Sequence, residues 1–238
     1  MNQGYDGVIN IYKEKGATSR AVSSAVGKTL GVKAGHAGTL DPEAEGVLPV
    51  CVGRGTKLYD KIISAGKTYV CECTLGVTTD TQDSSGKITE VRSADGITEE
   101  KIKETIKAFI GGYEQTPPMF SALQVNGRRL YDIARSGGEV EREPRFVEIT
   151  NIEPLSFALP EKFVVKVDCG KGTYIRTLCA DLGAALGCGA HMSGLVRSRC
   201  GRFTLDSSVT LQEFKRIFAD GCVYDIINTM DYVLENYK

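Results

Sequence analysis

No stretch of this 238-residue chain approaches the ~18 consecutive apolar residues of a membrane helix. The first six residues are polar and form no apolar signal segment, so the expected compartment is the cytoplasm. Histidine occurs only at His36 and His191. That is too few to specify a Ser-His-Asp set or an imidazole-rich metal site. There is no C-x-x-C pair either, so no metal is expected. Gly-Lys-Thr occurs at 27–29 and 66–68, but a phosphate-binding P-loop needs a glycine five residues earlier. Those positions hold Val22 and Lys61. Neither charge sign dominates: 29 Lys+Arg face 30 Asp+Glu, a net charge of -1. Taken in bulk, this argues against a polyanion partner.

What is present is a globular composition, with 42% apolar and 25% charged residues and enough length to bury a core. The eight cysteines fit a reducing compartment. Cys71 and Cys73 share one face of a predicted strand; the other six are scattered in mostly apolar contexts. They read as small buried hydrophobes.

Residues 7–12 (GVINIY) alternate as a strand, and Thr18 offers the N-cap of a helix running to about Leu30. Residues 33–46 are glycine-rich with one Asp-Pro and read as a loop. Strands are predicted at 46–52 and 67–75, a short helix at 56–64 and a solvated acidic loop at 78–86. Thr98 caps a helix to about Ile110, with Ile102, Ile106 and Phe109 as its apolar stripe. Further elements are a helix at 130–135, strands near 146–153 and 162–169, a segment at 173–186 that starts extended and turns helical, and a helix at 211–218. Strands and helices mix without βαβ spacing, which predicts an α+β fold with a mixed, largely antiparallel sheet.

Residues 35–46, GHAGTLDPEAEG, hold one carboxylate in a restricted setting. Pro42 limits the backbone of Asp41 to extended conformations, and the glycines at 35, 38 and 46 allow tight turning. Asp-Pro alone is also a common turn signal. The longer string GHAGTLDPEAEGVLPVCVGRGTK (35–57) resembles the catalytic motif of the TruB family of bacterial tRNA pseudouridine synthases. KTYV (67–70) with TDTQDSSG (79–86), QTPPMFSALQVNGRRLYDIARSG (115–137), GTYIRTLCADLG (172–183), GCGAH (187–191) and LVR (195–197) continue the resemblance in order, over most of the chain.

The resemblance implies a pseudouridine-synthase fold and the isomerisation of a uridine in the T-loop of tRNA, at position 55. The target base is flipped out, its C–N glycosidic bond is cleaved, and the uracil is rejoined through carbon, with no cofactor. Asp41 matches the catalytic carboxylate, suited to covalent catalysis. Arg176 matches an arginine that pairs with that carboxylate. Tyr69, Tyr174 and Leu195 match the uracil pocket. His36 matches the residue that fills the space left by the flipped base. Lys57, Arg128, Arg129, Arg135 and Arg142 are weaker candidates for the RNA backbone, the last four within an RNA-gripping insertion at about 121–145.

On this reading residues 1–238 are one catalytic domain, acting as a monomer on the tRNA T-arm without a membrane or metal partner. The PUA-like RNA-binding domain of typical members is expected to be absent. The rival class is an RNA-binding protein that uses the same pocket without turnover; the presence of Asp41 argues for the enzyme. The resemblance also revises the charge argument. Residues 1–67 sum to +3 and 169–202 to +4, while 68–168 sum to -5 and 203–238 to -3. Bulk neutrality conceals basic blocks around Asp41 and Arg176.

Overall fold

Alternation of Val8, Ile9 and Ile11 with smaller or polar residues makes residues 7–13 a strand that is apolar on both faces. In the computed structural model, which describes residues 4–121, 123–125 and 127–236, it is β1 (Gly7–Lys13). It is followed by α1 (Ser19–Leu30), β2 (Ala34–His36), β3 (Glu45–Val52), α2 (Tyr59–Ser64) and β4 (Lys67–Leu75). Next come β5 (Val77–Thr79), β6 (Ile88–Val91), α3 (Glu99–Lys107), β7 (Tyr113–Gln115), β8 (Gln124–Val125), β9 (Arg128–Arg129) and α4 (Leu130–Arg135). Then follow β10 (Arg145–Val147), β11 (Ile149–Ala158), β12 (Lys162–Cys169), α5 (Ile175–Leu186) and β13 (Ala190–Cys200). The chain ends with β14 (Phe203–Thr204), β15 (Val209–Thr210), α6 (Leu211–Ala219), β16 (Ile227–Asn228) and α7 (Met230–Asn236). The mixture of elements is the expected α+β class. No described helix is long and apolar enough to cross a membrane.

The chain divides into two compact units, residues 1–69 with 195–238 and residues 70–194. In the first, the strand order is β13-β3-β1-β15. β1 and β3 are antiparallel over Gly7↔Val52 to Lys13↔Gly46, while β13 lies parallel to β3 with Arg197↔Gly46 in register. One face of β1 and β3 (Ile9, Ile11, Leu48, Val50, Val52) packs on Val22, Val26 and Leu30 of α1 and Phe214 of α6. Burying each of these side chains contributes about 1.5–3 kcal/mol. The other face (Val8, Val47, Cys51) covers Leu58, Ile62 and Val233. Thr18 caps α1 by accepting from Ala21 N–H, and Gly31 closes it at φ 67°. The Thr18 cap and the end of α1 at Leu30 agree with the sequence reading.

In the second unit the order is β11-β12-β4-β13. α3 is capped by Thr98 and packs on α5 and β11. The short pair β7–β10 aligns Gln115 with Arg145 and so closes the base of residues 116–144.

β13 is the main element absent from the sequence reading. Its alternation is hidden because two of its inward positions are His191 and Arg197, both buried, where apolar residues would signal a strand. Residues 78–86 also depart from the expected solvated loop: they begin in the β5–β6 hairpin, and Asp83 is buried. α7 is likewise absent from the sequence reading.

Gly46 sits between Lys13 and Arg197 in one row across β1, β3 and β13. Its φ is +105°, and an added Cβ would lie 2.3 Å from the Arg197 carbonyl oxygen. Gly46→Ala is expected to lower stability by about 2–4 kcal/mol, from backbone strain plus overpacking. Urea unfolding checks this; an unchanged midpoint would show that the row tolerates a side chain.

Candidate active site

Residues 37–44 connect β2 to β3 and carry Asp41, which is half-buried. The backbone on either side of it is tied down. Ser19 Oγ donates to Leu40 O (2.8 Å) and accepts from Leu40 N–H (2.9 Å). Gly16 N–H donates to Pro42 O (2.8 Å), and Lys13 Nζ donates to the same oxygen (3.1 Å). Ala37 N–H reaches Pro49 O and Ala44 N–H reaches Asp41 O.

Two fully buried cations support this loop. Lys13 has no exposed surface, and its three donors go to carbonyls of Glu14, Ala17 and Pro42 at 2.7–3.1 Å. Burial pulls its pKa below the ordinary lysine value and the Arg197 charge adds to this, while Asp41, Glu43 and Glu45 pull the other way. Arg197, 1% exposed, donates Nε to Val47 O (2.8 Å) and Nη2 to Gly38 O (2.9 Å). A third buried cation, Lys67, donates to Ile63 O and Ala65 O. A Cβ on Gly38 would lie 3.4 Å from Arg197 Nη1 and 3.7 Å from Lys67 Cε, so this glycine lets the loop settle on them.

His36 ends β2, opposite Val50 of β3. Its Nδ1 lies 3.2 Å from Ser23 Oγ and its Nε2 3.2 Å from Thr39 Oγ1. Burial, and then the Arg197 charge, hold its pKa below the usual histidine value. Tyr69 and Leu195 are buried on β4 and β13. Thr68, next to Tyr69, is held by Arg199 Nε at 2.9 Å. Lys57 is exposed and lines a separate cavity of about 390 Å³ with Asp6, Arg54 and Met230, away from the Asp41 loop.

In the second unit, Tyr174 and Arg176 stand at the start of α5. Arg176 is 5% exposed. Its Nη1 donates to Thr81 O (3.0 Å) and its Nη2 to Phe120 O (2.8 Å), and Asp83 Oδ2 lies 3.7 Å from Nη1. Asp83 Oδ1 is occupied by Thr81 Oγ1, Ser85 N–H and Ser85 Oγ at 2.6–2.9 Å, which leaves the other oxygen facing the guanidinium. The sequence reading gives Asp83 no place beside Arg176. The Asp-Ser-Ser-Gly string, whose short polar side chains favour local turns, was the available signal.

Of the basic candidates at 121–145, Arg128 and Arg135 are exposed, with the Arg135 guanidinium 4.5 Å above the Tyr131 ring. Arg142 is half-buried and donates to Pro117 O (3.1 Å). The Arg129 side chain lies outside the described residues. The cysteines are less scattered than expected: Cys179 of α5 meets Cys73 (3.0 Å) and Cys71 (3.9 Å), sulfur to sulfur. This trio is the one such cluster of metal-ligand types among the described residues. It is one sulfur short of a tetrahedral structural zinc set.

Solved structures share this architecture. The chain superposes on one in a crystal structure of a Cbf5–Nop10–Gar1 complex with TM-score 0.77 and 32% identity, covering 98% of this chain and 62% of that one. A structure of an H/ACA RNP bound to a substrate RNA containing 2'-deoxyuridine gives 0.73 and 30%, with the same coverage. The fold is thus one found in RNA-bound assemblies. Residues 26–175 match the N-terminal domain model of TruB family pseudouridylate synthase, and residues 176–235 match the tRNA pseudouridylate synthase B C-terminal domain model. The chain belongs to the TruB family. Relatives include tRNA pseudouridine synthase B of Alkaliphilus oremlandii, 44% identical over 97% of this chain and 76% of that protein. The enzyme of the same name from Symbiobacterium thermophilum is 49% identical over 87% of this chain and 71% of that protein.

The Lys13 ammonium is disfavoured by burial, so the unfolded chain binds more protons between the folded pKa and the ordinary lysine value near 10.5. Stability therefore rises with pH through that window. Lys13→Met abolishes this gain, so the stability of the wild type relative to the variant should increase from pH 8 towards 10.5. Urea midpoints at several pH values measure it; a difference that stays flat with pH would contradict the assigned strain on the ammonium.

Proposed function

We propose that this chain isomerises a uridine in the T-loop of tRNA, at position 55, to pseudouridine. Family membership supports the reaction class. The observation that carries the catalytic assignment is the Asp41 loop, whose backbone is fixed on both sides of the carboxylate by Ser19, Lys13 and Arg197. Electrostatic and covalent catalysis both require a group placed before the substrate arrives.

The reaction is an exchange of bonds. The N1–C1′ glycosidic bond breaks, the uracil turns, and a C5–C1′ bond forms. The C5 proton leaves and N1 gains one, so the step is redox-neutral and consumes no co-reactant. Asp41 supplies the carboxylate for this exchange, and Arg176 is the guanidinium that the family motif pairs with it. Tyr69, Tyr174 and Leu195 line the uracil pocket. A base inside a helical stack cannot reach a half-buried carboxylate held in a protein loop, so the uridine is flipped out and His36 fills its place. Lys57, Arg128, Arg129, Arg135 and Arg142 serve the phosphates, with 121–145 as the gripping segment. A tRNA substrate places this work in the cytoplasm.

Two measurements test the reading. Asp41→Asn should retain binding of a T-arm RNA hairpin and lose pseudouridine formation, mapped on an unmodified tRNA transcript; normal product from the variant would remove Asp41 from the mechanism. Arg135→Ala should weaken RNA binding and make the slope of log K against log salt shallower by about 0.7–0.9. An unchanged slope would mean that Arg135 meets no phosphate.

A further inference from the structure

The start of α5 carries no capping side chain of its own. Its Tyr174 backbone is held instead by a carboxamide from a distant segment. Gln115 Oε1 accepts from Tyr174 N–H at 2.8 Å, and Gln115 Nε2 donates to Tyr174 O at 3.1 Å. The side chain thus pairs both peptide groups of one residue, as a neighbouring strand would. The second Nε2 hydrogen goes to Tyr113 Oη (2.8 Å), whose hydroxyl donates to Asp181 Oδ2 (2.6 Å). This donor–acceptor sequence fixes the amide orientation, because the Tyr174 carbonyl requires the nitrogen side. Gln115 is 1% exposed, and both of its amide hydrogens are used.

The location gives the clamp its consequence. Gln115 is the last residue of β7, at the base of residues 116–144, where it lies opposite Arg145 of β10. Five residues further on, Phe120 O accepts from Arg176. Two residues at the start of α5 therefore grip the segment at 115 and 120. Gln115 joins the base of that segment to the Tyr174 backbone.

We infer that Gln115 is a positioning residue for pseudouridine formation: it locks the Tyr174 backbone to the base of residues 116–144, so that the Tyr174 ring is aimed before the target uracil arrives. This rests on the placement of Tyr174 in the uracil pocket under the proposed function. Misaiming a pocket wall by an ångström is enough to slow chemistry up to a hundredfold while leaving remote RNA contacts intact.

The test uses the full chain and a T-arm RNA hairpin labelled with tritium at C5 of the target uridine. Gln115→Leu keeps the volume and removes all three hydrogen bonds. Its single-turnover tritium-release rate should fall about 30-fold, with hairpin affinity within twofold of wild type. Tyr113→Phe leaves the clamp on Tyr174 but removes its anchor to Asp181. The phenyl ring can still pack edge-on against Phe109, where the centroids lie 4.9 Å apart, so this variant should fold and lose about threefold in rate. If Gln115→Leu does not fold, the Tyr113→Phe rate decides. Wild-type rates in the folded variants would overturn the inference, as would a rate loss matched by an equal loss of affinity. A wild-type chain that releases no tritium would overturn the proposed function, and this inference with it.

Discussion

A row of three residues across neighbouring strands, Lys13, Gly46 and Arg197, supports the loop that presents Asp41. The two cations are buried on either side of a glycine whose missing side chain lets the β13 backbone approach. Removing a cation from water costs several kcal/mol unless hydrogen bonds and opposite charge replace the hydration. Here the replacement consists of main-chain carbonyls, three for Lys13 and two for Arg197. One acceptor of each, Pro42 O and Gly38 O, lies in the loop itself. Unseating the loop would leave a buried donor unsatisfied, so the loop conformation and the burial of the cations enforce each other.

The second unit uses the same device with an arginine. Arg176 binds the carbonyls of Thr81 and Phe120 and faces Asp83, whose other oxygen is saturated by Thr81 and Ser85. A planar guanidinium with several fixed donors suits this task better than an ammonium, since it can join two loops and still present a charge edge. Each unit thus fixes a loop by threading a buried cation through backbone carbonyls. Such bonds ask little of the loop sequence, because any residue but none in particular supplies the carbonyl.

That economy explains what could be read from the sequence. The alternation in β1, β4 and β12, the caps at Thr18 and Thr98 and the stripe of α3 are local signals, and the structure agrees with them. Long motif strings give Asp41, Tyr174 and Arg176 their roles. Asp83, Gln115 and Arg197 lie in such strings too, but the strings assign them none. Lys13 falls one residue beyond the predicted strand 7–12, where no local pattern marks it as buried, and Arg197 interrupts the alternation that would reveal β13. Asp83 lies in a polar string that reads as surface. Gln115 contacts Tyr174, 59 residues away, and no local pattern encodes such a pairing. Buried polar groups are chosen by partners distant in sequence, whereas apolar periodicity is written locally.

The central claim is that the Asp41 loop is set by the protein alone, before RNA binds. Amide hydrogen exchange in the RNA-free chain tests it most directly. The N–H groups of Ala37 and Leu40, bonded to Pro49 O and Ser19 Oγ, should exchange as slowly as those in the middle of β1 and β3. Fast exchange at both positions, with protection gained only when a T-arm hairpin is added, would contradict the claim and make the loop an element ordered by its substrate.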